Sequence, residues 1–391
     1  MRTPSQPAML TDKLAVIGHL RNRLERLKIR GVPPGSPVLE SVAQQDLGHA
    51  IGALLGLAVG DALGTTLEFT KINGAPFPEL MTGPHREIVG AGPFDLKPGQ
   101  VTDDTQMALC VFHSLVAHHR LDVDDLVARY QQWQRVAFDI GMQTQSALGV
   151  IPEVPALEAG RVIWQRSGRQ AAGNGALMRT APIGVLLSAH PVARRDATLA
   201  DAAITHFDPR SQLACAALNA AISLAIVHDR PRSPNDLFAA ARRELEPTAA
   251  VLVRRHDDLA NLIARAAHEL ADDLAAAERS DPELYGPELD LREHQGFVRA
   301  AFRLAFWELG HAPSFEAGLI DVANRGGDSD SNGAIAGALL GAFHGVDAIP
   351  DRWLSPVLSA QPNEPLLAHE FHPARFVDEL TELFARASAL S

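Results

Sequence analysis

Two segments far apart in the chain share one pattern, AIGALLGLAVGDALG at 50–64 and AIAGALLGAFHG at 334–345. Both are apolar on nearly every side and rich in Gly and Ala. A helix without a polar face has to be buried, and small residues at its contact surface let another backbone approach closely. Both segments are therefore expected to run through the centre of one domain. The longest apolar run, 51–60, is cut off by Asp61, well short of the ~20 residues that a membrane-spanning helix needs.

Helical periodicity governs the chain from residue 46 onward. Helices are expected at about 46–62, 104–119, 123–136, 140–149, 192–204, 211–228, 234–245, 249–278, 292–309, 315–324, 332–344 and 373–388. Strand signals are nearly absent, aromatic residues make up 5%, and Ala is abundant, which suits closely packed helices. With 391 residues and 46% hydrophobic content, the chain can bury a substantial core. These features predict an all-α chain over 46–391, built as one large domain or two smaller ones, without a solenoid repeat. Residues 1–45 read as an extension. Leu14, Ile17, Leu20, Leu24 and Leu27 give 11–30 the spacing of an amphipathic helix, and GVPPGSP at 31–37 breaks it. That helix either docks on the domain or serves as a lid or partner-binding element.

A net charge of -12 opposes any general affinity for nucleic acid or anionic membranes, both of which require a basic face. Cys110 and Cys215 lie in apolar helical runs and read as buried reduced thiols. The N-terminus, MRTPSQPAML, lacks the apolar core of a signal peptide, so a cytoplasmic location is the expectation.

Residues 328–333, DSDSNG, look like the opening of an EF-hand loop, but the twelfth position, which should be a bidentate Glu, is Leu339. What remains is a set of hard oxygen donors, Asp328, Asp330 and Ser331, at the start of a buried helix. A second set, Thr102, Asp103 and Asp104, stands in VTDDTQMAL at 101–109. Each set alone reads equally well as helix capping. Together they offer four carboxylates and two hydroxyls. Brought face to face, such carboxylates must take up protons or be neutralised by cations, and a pair of Mg²⁺ or Mn²⁺ ions suits an all-oxygen set. No Cys or His pair has zinc-ligand spacing. Glu68, in GDALGTTLEF, is a further carboxylate just beyond the first apolar helix. Gly173, Asn174 and Gly175 form a loop whose backbone N–H groups could face a phosphate. His206 stands just ahead of another helix.

Five segments in fixed order, GDALGTTLEF, VTDDTQMAL, GNGALMR, THFDPR and GGDSDSNGAIAGALLGA, resemble the ADP-ribosylglycohydrolase family, over about residues 46–345. That family includes dinitrogenase reductase activating glycohydrolases and ADP-ribosyl-arginine and ADP-ribosyl-serine hydrolases. The resemblance implies an all-α, compact single-domain helical bundle with a central binuclear metal cleft that receives ADP-ribose. It implies Thr102, Asp103, Asp104, Asp328, Asp330 and Ser331 as ligands of two Mg²⁺ or Mn²⁺ ions, with Glu68 beside them. It places His206 and the Gly173, Asn174, Gly175 loop along the ADP-ribose pocket, and Asp139, in FDIGMQTQSAL, near the scissile bond. Two departures stand out. The second metal motif has Ser329-Asp330-Ser331 where the family usually has Thr-Asp-Thr, and Gln143-Thr144-Gln145 replaces a Thr-Thr-Arg-like run.

The implied activity is hydrolysis of the bond between ADP-ribose and a modified protein side chain, arginine favoured, with Glu68, Asp103 and Asp139 as candidate acid or base. A serine-linked or small-molecule substrate is the first alternative. A catalytically silent ADP-ribose-binding immunity protein, plugging an ADP-ribosyltransferase toxin with residues 1–45, is the second.

Overall fold

The computed structural model describes residues 36–389, apart from 73–74, 228–231, 282–283, 285–288, 292 and 363. The amphipathic helix expected at 11–30 lies outside the described residues. Among those described no strand forms, only isolated bridges such as Gln45–Val227 and Gly173–Phe297. The helices are α1 (Pro37–Val42), α2 (Leu47–Gly64), α3 (Asp103–His118), α4 (Val123–Gln134), α5 (Met142–Val150), α6 (Ala156–Arg166), α7 (Ala181–Leu186), α8 (Pro191–Thr205), α9 (Pro209–Ala225), α10 (Pro234–Arg255), α11 (Ala260–Ala277), α12 (Val298–His311), α13 (Phe315–Asn324), α14 (Ser329–His344), α15 (Asp351–Ser359), α16 (Pro365–His369) and α17 (Ala374–Ala389).

The two small-residue segments become α2 and α14, and their mutual contact is the most extensive between any two helices. A Cβ built on Gly52, Gly56 or Gly60 would lie 2.3, 2.2 or 1.9 Å from the carbonyl oxygens of Gly341, Gly337 and Gly333. No side chain fits there, so glycine at every fourth position of both helices is what permits backbone-to-backbone packing. The pairing runs Gly52 with Gly341 and ends at Gly64 with Ser329, so the helices are antiparallel. The C-terminal end of α2, carrying Asp61, therefore meets the N-terminal end of α14, carrying Asp330. The segment Leu47–Leu67 is long and apolar enough to cross a membrane, but 89% of that stretch is buried inside the fold, as befits a core helix.

Other boundaries moved for local reasons. Pro247, which the sequence suggests as a break between two helices, lies inside α10. The chain instead turns at His256 (φ -145°) into a 3-10 turn before α11. α14 starts at Ser329 rather than 332, so the acidic motif is its N-cap and first turn. Helices α1, α6, α7, α15 and α16, absent from the sequence-based expectation, are mostly short, and three of them, α1, α7 and α16, start with Pro in the first turn, where its fixed φ suits the helix. α1 buries Val38, Leu39 and Val42 against α7 and α17. Gln45 then donates to Val185 O at 2.5 Å and Ser188 Oγ at 2.9 Å. The last ten residues of the extension are thus packed into the domain.

Candidate active site

The antiparallel α2–α14 pair fixes where the carboxylates gather. Asp61, in the last turn of α2, is fully buried and accepts from the Thr102 and Thr105 backbone N–H groups at 3.1 Å and from the Thr105 hydroxyl at 2.5 Å. It thereby pins the start of α3 to the end of α2. The Thr102 hydroxyl lies 3.0 Å from Asp61 Oδ1, 3.0 Å from Asp104 Oδ2 and 3.4 Å from Asp330 Oδ2. The two acidic motifs, more than 200 residues apart in sequence, meet at this hydroxyl.

The capping explanation of these motifs does not hold. Asp46, Asp122 and Ser314 cap their helices by accepting backbone N–H bonds at 3.2, 3.2 and 3.1 Å. Thr102 and Asp328 occupy N-cap positions but make no such bond. Their oxygens face the other acidic groups instead. Asn174 Nδ2 donates to Asp328 Oδ2 at 2.7 Å, and Asp103 accepts from the Gly141 N–H. Glu68, Asp139 and Asp330 each place a carboxylate oxygen within 4.8 Å of the other two.

A cleft of about 380 Å³ opens over this floor, lined by Glu68, Asp103, Asp139, Gly173, Asn174, Gly175, His206, Asp328, Asp330 and Ser331, with Gln143, Met178 and Gly296. Thr102, Asp104 and Asp61 lie behind the floor rather than on the lining. Phe69 (56% exposed) and Met142, both on the lining, are large apolar side chains left in solvent. Phe69 also holds a positive φ of 59°, and its N–H donates to Gly327 O at 2.6 Å.

The electrostatics are one-sided. Among the described residues no Lys or Arg lines the cleft, and burial together with the Arg179 charge holds the His206 imidazole well below its ordinary range. Burial, then the charges of Asp139 and Asp328, pushes Glu68 up to about 8. Burial, then Asp61 and Asp328, pushes Asp139 up to about 7. Asp103, Asp104 and Asp330 are raised well above the usual carboxylate range, first by burial and then by one another's neighbours. Burial also raises Asp328, and it carries Asp61 to about 6 despite four hydrogen bonds. Two oxygens, Glu68 Oε2 and Asp104 Oδ1, are buried without a hydrogen-bond partner among the described residues. Buried acceptors left unpaired are costly. Hard divalent cations satisfy such oxygens and neutralise the charge at once, so the donor set fits metal ions.

Several residues of the site carry no motif signal. Asp61 reads from sequence as the end of an apolar run, and Gln143 as a departure from the family pattern. Gln143 in fact braces the glycine loop, accepting from Gly173 N–H at 3.3 Å and donating to Thr205 O at 3.1 Å. The glycine loop differs from the expectation of free amides: Asn174 N–H is also spent, on Gly296 O at 2.9 Å.

An all-helical fold around a cleft floored by carboxylates defines a class of hydrolase, and direct comparison identifies which. The family model described as ADP-ribosylglycohydrolase matches residues 43–387, and the chain belongs to that family. It is 34% identical over 309 residues to the ADP-ribosyl-[dinitrogen reductase] glycohydrolase of Rhodospirillum rubrum, covering 78% of this chain and 89% of the relative. It is 28% identical over 410 residues to the ADP-ribosylarginine hydrolase Tri1 of Pseudomonas putida strain GB-1, covering 98% of both. A solved structure titled ADP-ribosylglycohydrolase-related protein complex superposes with a TM-score of 0.62 at 28% identity, covering 87% of this chain and 98% of the other. The protein is an enzyme that hydrolyses a glycosidic bond to ADP-ribose.

Proposed function

We propose that the cleft releases ADP-ribose from modified arginine side chains of a protein, using divalent cations held by Thr102, Asp103, Asp104, Asp328, Asp330 and Ser331. The observation that carries this reading is the convergence of Asp61, Glu68, Asp103, Asp104, Asp139, Asp328 and Asp330 at one site, with no Lys or Arg lining it among the described residues. The full-length similarity to an ADP-ribosylarginine hydrolase supports the arginine linkage. Cations bound there would fix ribose hydroxyls and a water and offset the negative charge.

The chain's own groups supply the rest. Asp103 and Asp139 share a hydrogen bond, so one proton can be held between them. Glu68 lines the cleft with Oε2 unpaired among the described residues, and such a carboxyl can hand a proton to a departing nitrogen or take one from an attacking water. Glu68 is the first candidate for that role, with Asp139 and Asp103 behind it. The exposed Phe69 and Met142 offer an apolar, partly aromatic rim to the planar guanidinium that carries the ADP-ribose.

The test is to incubate the protein with an arginine-ADP-ribosylated protein in Mg²⁺, Mn²⁺ or EDTA and to follow free ADP-ribose by mass spectrometry. Release that needs the cation and disappears in Asp330→Ala supports the proposal. Release from a serine-linked substrate alone would overturn the arginine assignment, and release undiminished in EDTA would overturn the metal assignment.

A further inference from the structure

Six large apolar side chains stand exposed among the described residues, Phe69, Val89, Phe138, Met142, Leu157 and Val192. Single exposed apolar residues are ordinary on a protein surface, so their placement matters more than their number. Phe69 and Met142 line the cleft, and Phe138 immediately precedes Asp139 of the lining. Val89 belongs to the segment 88–94, IVGAGPF, which carries no charge. That segment is a tight loop: Ala91 N–H donates to Leu96 O at 2.6 Å and Leu96 N–H to Ala91 O at 2.9 Å. The Thr66 hydroxyl donates to Gly90 O at 2.8 Å, and a Cβ built on Gly92 would lie 2.0 Å from Thr65 O, so the loop rests against the turn just ahead of Glu68. Its Phe94 ring meets Phe138 edge-on, with centroids 5.6 Å apart. The loop thus spans from the segment that carries Glu68 to the one that carries Asp139.

Val89, Phe94 and Phe138 are not on the cleft lining. ADP-ribose and the side chain that bears it occupy the cleft, so a group that reaches these three lies further along the substrate, on the protein surface around the modified residue. Apolar side chains gathered beside a cleft mark an interaction surface. The flanking Glu87 is engaged by Arg352 at 3.0 Å, so a partner is held here by apolar burial rather than by ion pairing. The loop's own backbone bonds present that face already ordered, which lowers the entropy cost of docking.

We propose that Val89, Phe94 and Phe138 form a docking surface for the ADP-ribosylated protein itself, covering apolar side chains beside its modified arginine while the ADP-ribose occupies the cleft. This rests on the reading of the cleft as the site of arginine-linked ADP-ribose. The surface makes a folded protein with an apolar neighbourhood around the arginine a better substrate than free ADP-ribosyl-arginine. It acts through KM, because none of the three side chains lines the cleft where the bond is broken.

The test uses the full-length protein in Mg²⁺ and three substrates: a small folded protein with a single ADP-ribosylated arginine flanked by exposed leucines, its counterpart with serines in place of those leucines, and free ADP-ribosyl-arginine. Wild type is expected to show a KM about 10-fold lower for the leucine-flanked protein than for the serine-flanked one, with the same kcat. In the Val89→Ser, Phe138→Ser double variant that difference is expected to vanish, with turnover of free ADP-ribosyl-arginine within about 2-fold of wild type. Val89→Ile and Phe138→Leu, which keep the surface apolar, are expected to retain it. Equal KM values for the two proteins in wild type overturn the proposal, as does a double variant that loses as much on free ADP-ribosyl-arginine as on protein. A wild type that sediments as a dimer and a double variant that sediments as a monomer, with turnover unchanged, would assign the face to a second copy and overturn it too. A wild type that releases ADP-ribose from none of the three substrates overturns the reading of the cleft, and the docking surface with it.

Discussion

The α2–α14 pair has two ends with opposite character. Along most of its length the backbones touch through Gly52, Gly56 and Gly60 against Gly341, Gly337 and Gly333, with nothing polar left to pair. At the end where Gly64 meets Ser329, the same two helices deliver Asp61 and Asp330 into a basin of buried carboxylates with unpaired oxygens. The glycine ladder is complete in itself, whereas the basin is a donor set that requires a partner from solution. The comparison teaches that rigidity of the first is what lets the second remain strained: carboxylates that would repel one another are held together because the helices beneath them have no freedom to slide.

The largest effect should come from breaking the ladder. In Gly60→Leu the new Cβ alone would sit 1.9 Å from Gly333 O, and since the obstacle is backbone, relief requires the helices to part. A loss of more than ~4 kcal/mol is expected, seen as failure to give a cooperative thermal transition. A folded Gly60→Leu protein with unaltered melting would refute the close-contact description. Breaking the basin should act on function instead. Asp330→Ala is expected to lower ADP-ribose release by about 100- to 1000-fold, in line with the ~3–4 kcal/mol that such charge-stabilising groups supply. It should leave the melting temperature of the metal-free protein unchanged or raised, because a carboxyl whose ionisation is disfavoured has been removed. A destabilised metal-free Asp330→Ala protein would mean that the basin is itself a structural element.

A smaller and reversible effect should appear with pH. Glu68, Asp139 and Asp61, at about 8, 7 and 6, all stand above their ordinary carboxylate values. The folded metal-free protein therefore binds more protons than the unfolded chain from about pH 4 to pH 8, and stability must fall as pH rises through that window. In EDTA the melting temperature is expected to be lower at pH 8 than at pH 5. Mg²⁺ or Mn²⁺ should restore it, with the larger gain at pH 8. A melting temperature in EDTA that is flat or rises with pH would show the carboxylates to be neutralised by some other means.

How much of this is legible in the sequence differs between the two ends. The ladder is legible because four-residue glycine spacing is a local pattern with one physical consequence, burial against another backbone. The acidic motifs are legible as oxygen donors, but each has capping as an equal explanation, and only the three-dimensional structure shows Thr102 and Asp328 without cap bonds. Asp61 is not legible as a site residue, since its partners Thr102 and Thr105 lie about 40 positions away. Arg179 is equally silent. It stands in GNGALMR, yet its work is done on Asp201 and Thr205 of α8, through contacts that no spacing announces. Short helices such as α7, six residues long, form because tertiary packing selects them, which local propensity does not encode.

The smallest predicted effect divides the two regions within a single turn. Ser329 and Ser331 are two residues apart in DSDSNG and both are buried, and only Ser331 is expected from the sequence to be an oxygen donor of the site. Ser329 Oγ donates to Gly64 O at 2.8 Å, which makes it the last rung of the ladder. Ser331 instead lines the cleft and shares a hydrogen bond with Asp328. Ser329→Ala should cost about 1 kcal/mol of stability, a few degrees in melting temperature, with ADP-ribose release nearly unchanged. Ser331→Ala should leave melting in EDTA nearly unchanged and raise the cation concentration needed for half-maximal release about 10-fold, the scale of one lost contact around a metal. Matched melting curves and Mn²⁺ titrations of the two variants decide the matter. If the two alanines give the same pair of results, the boundary between packing and chemistry does not run between these two serines, and the N-terminal turn of α14 has to be treated as one unit.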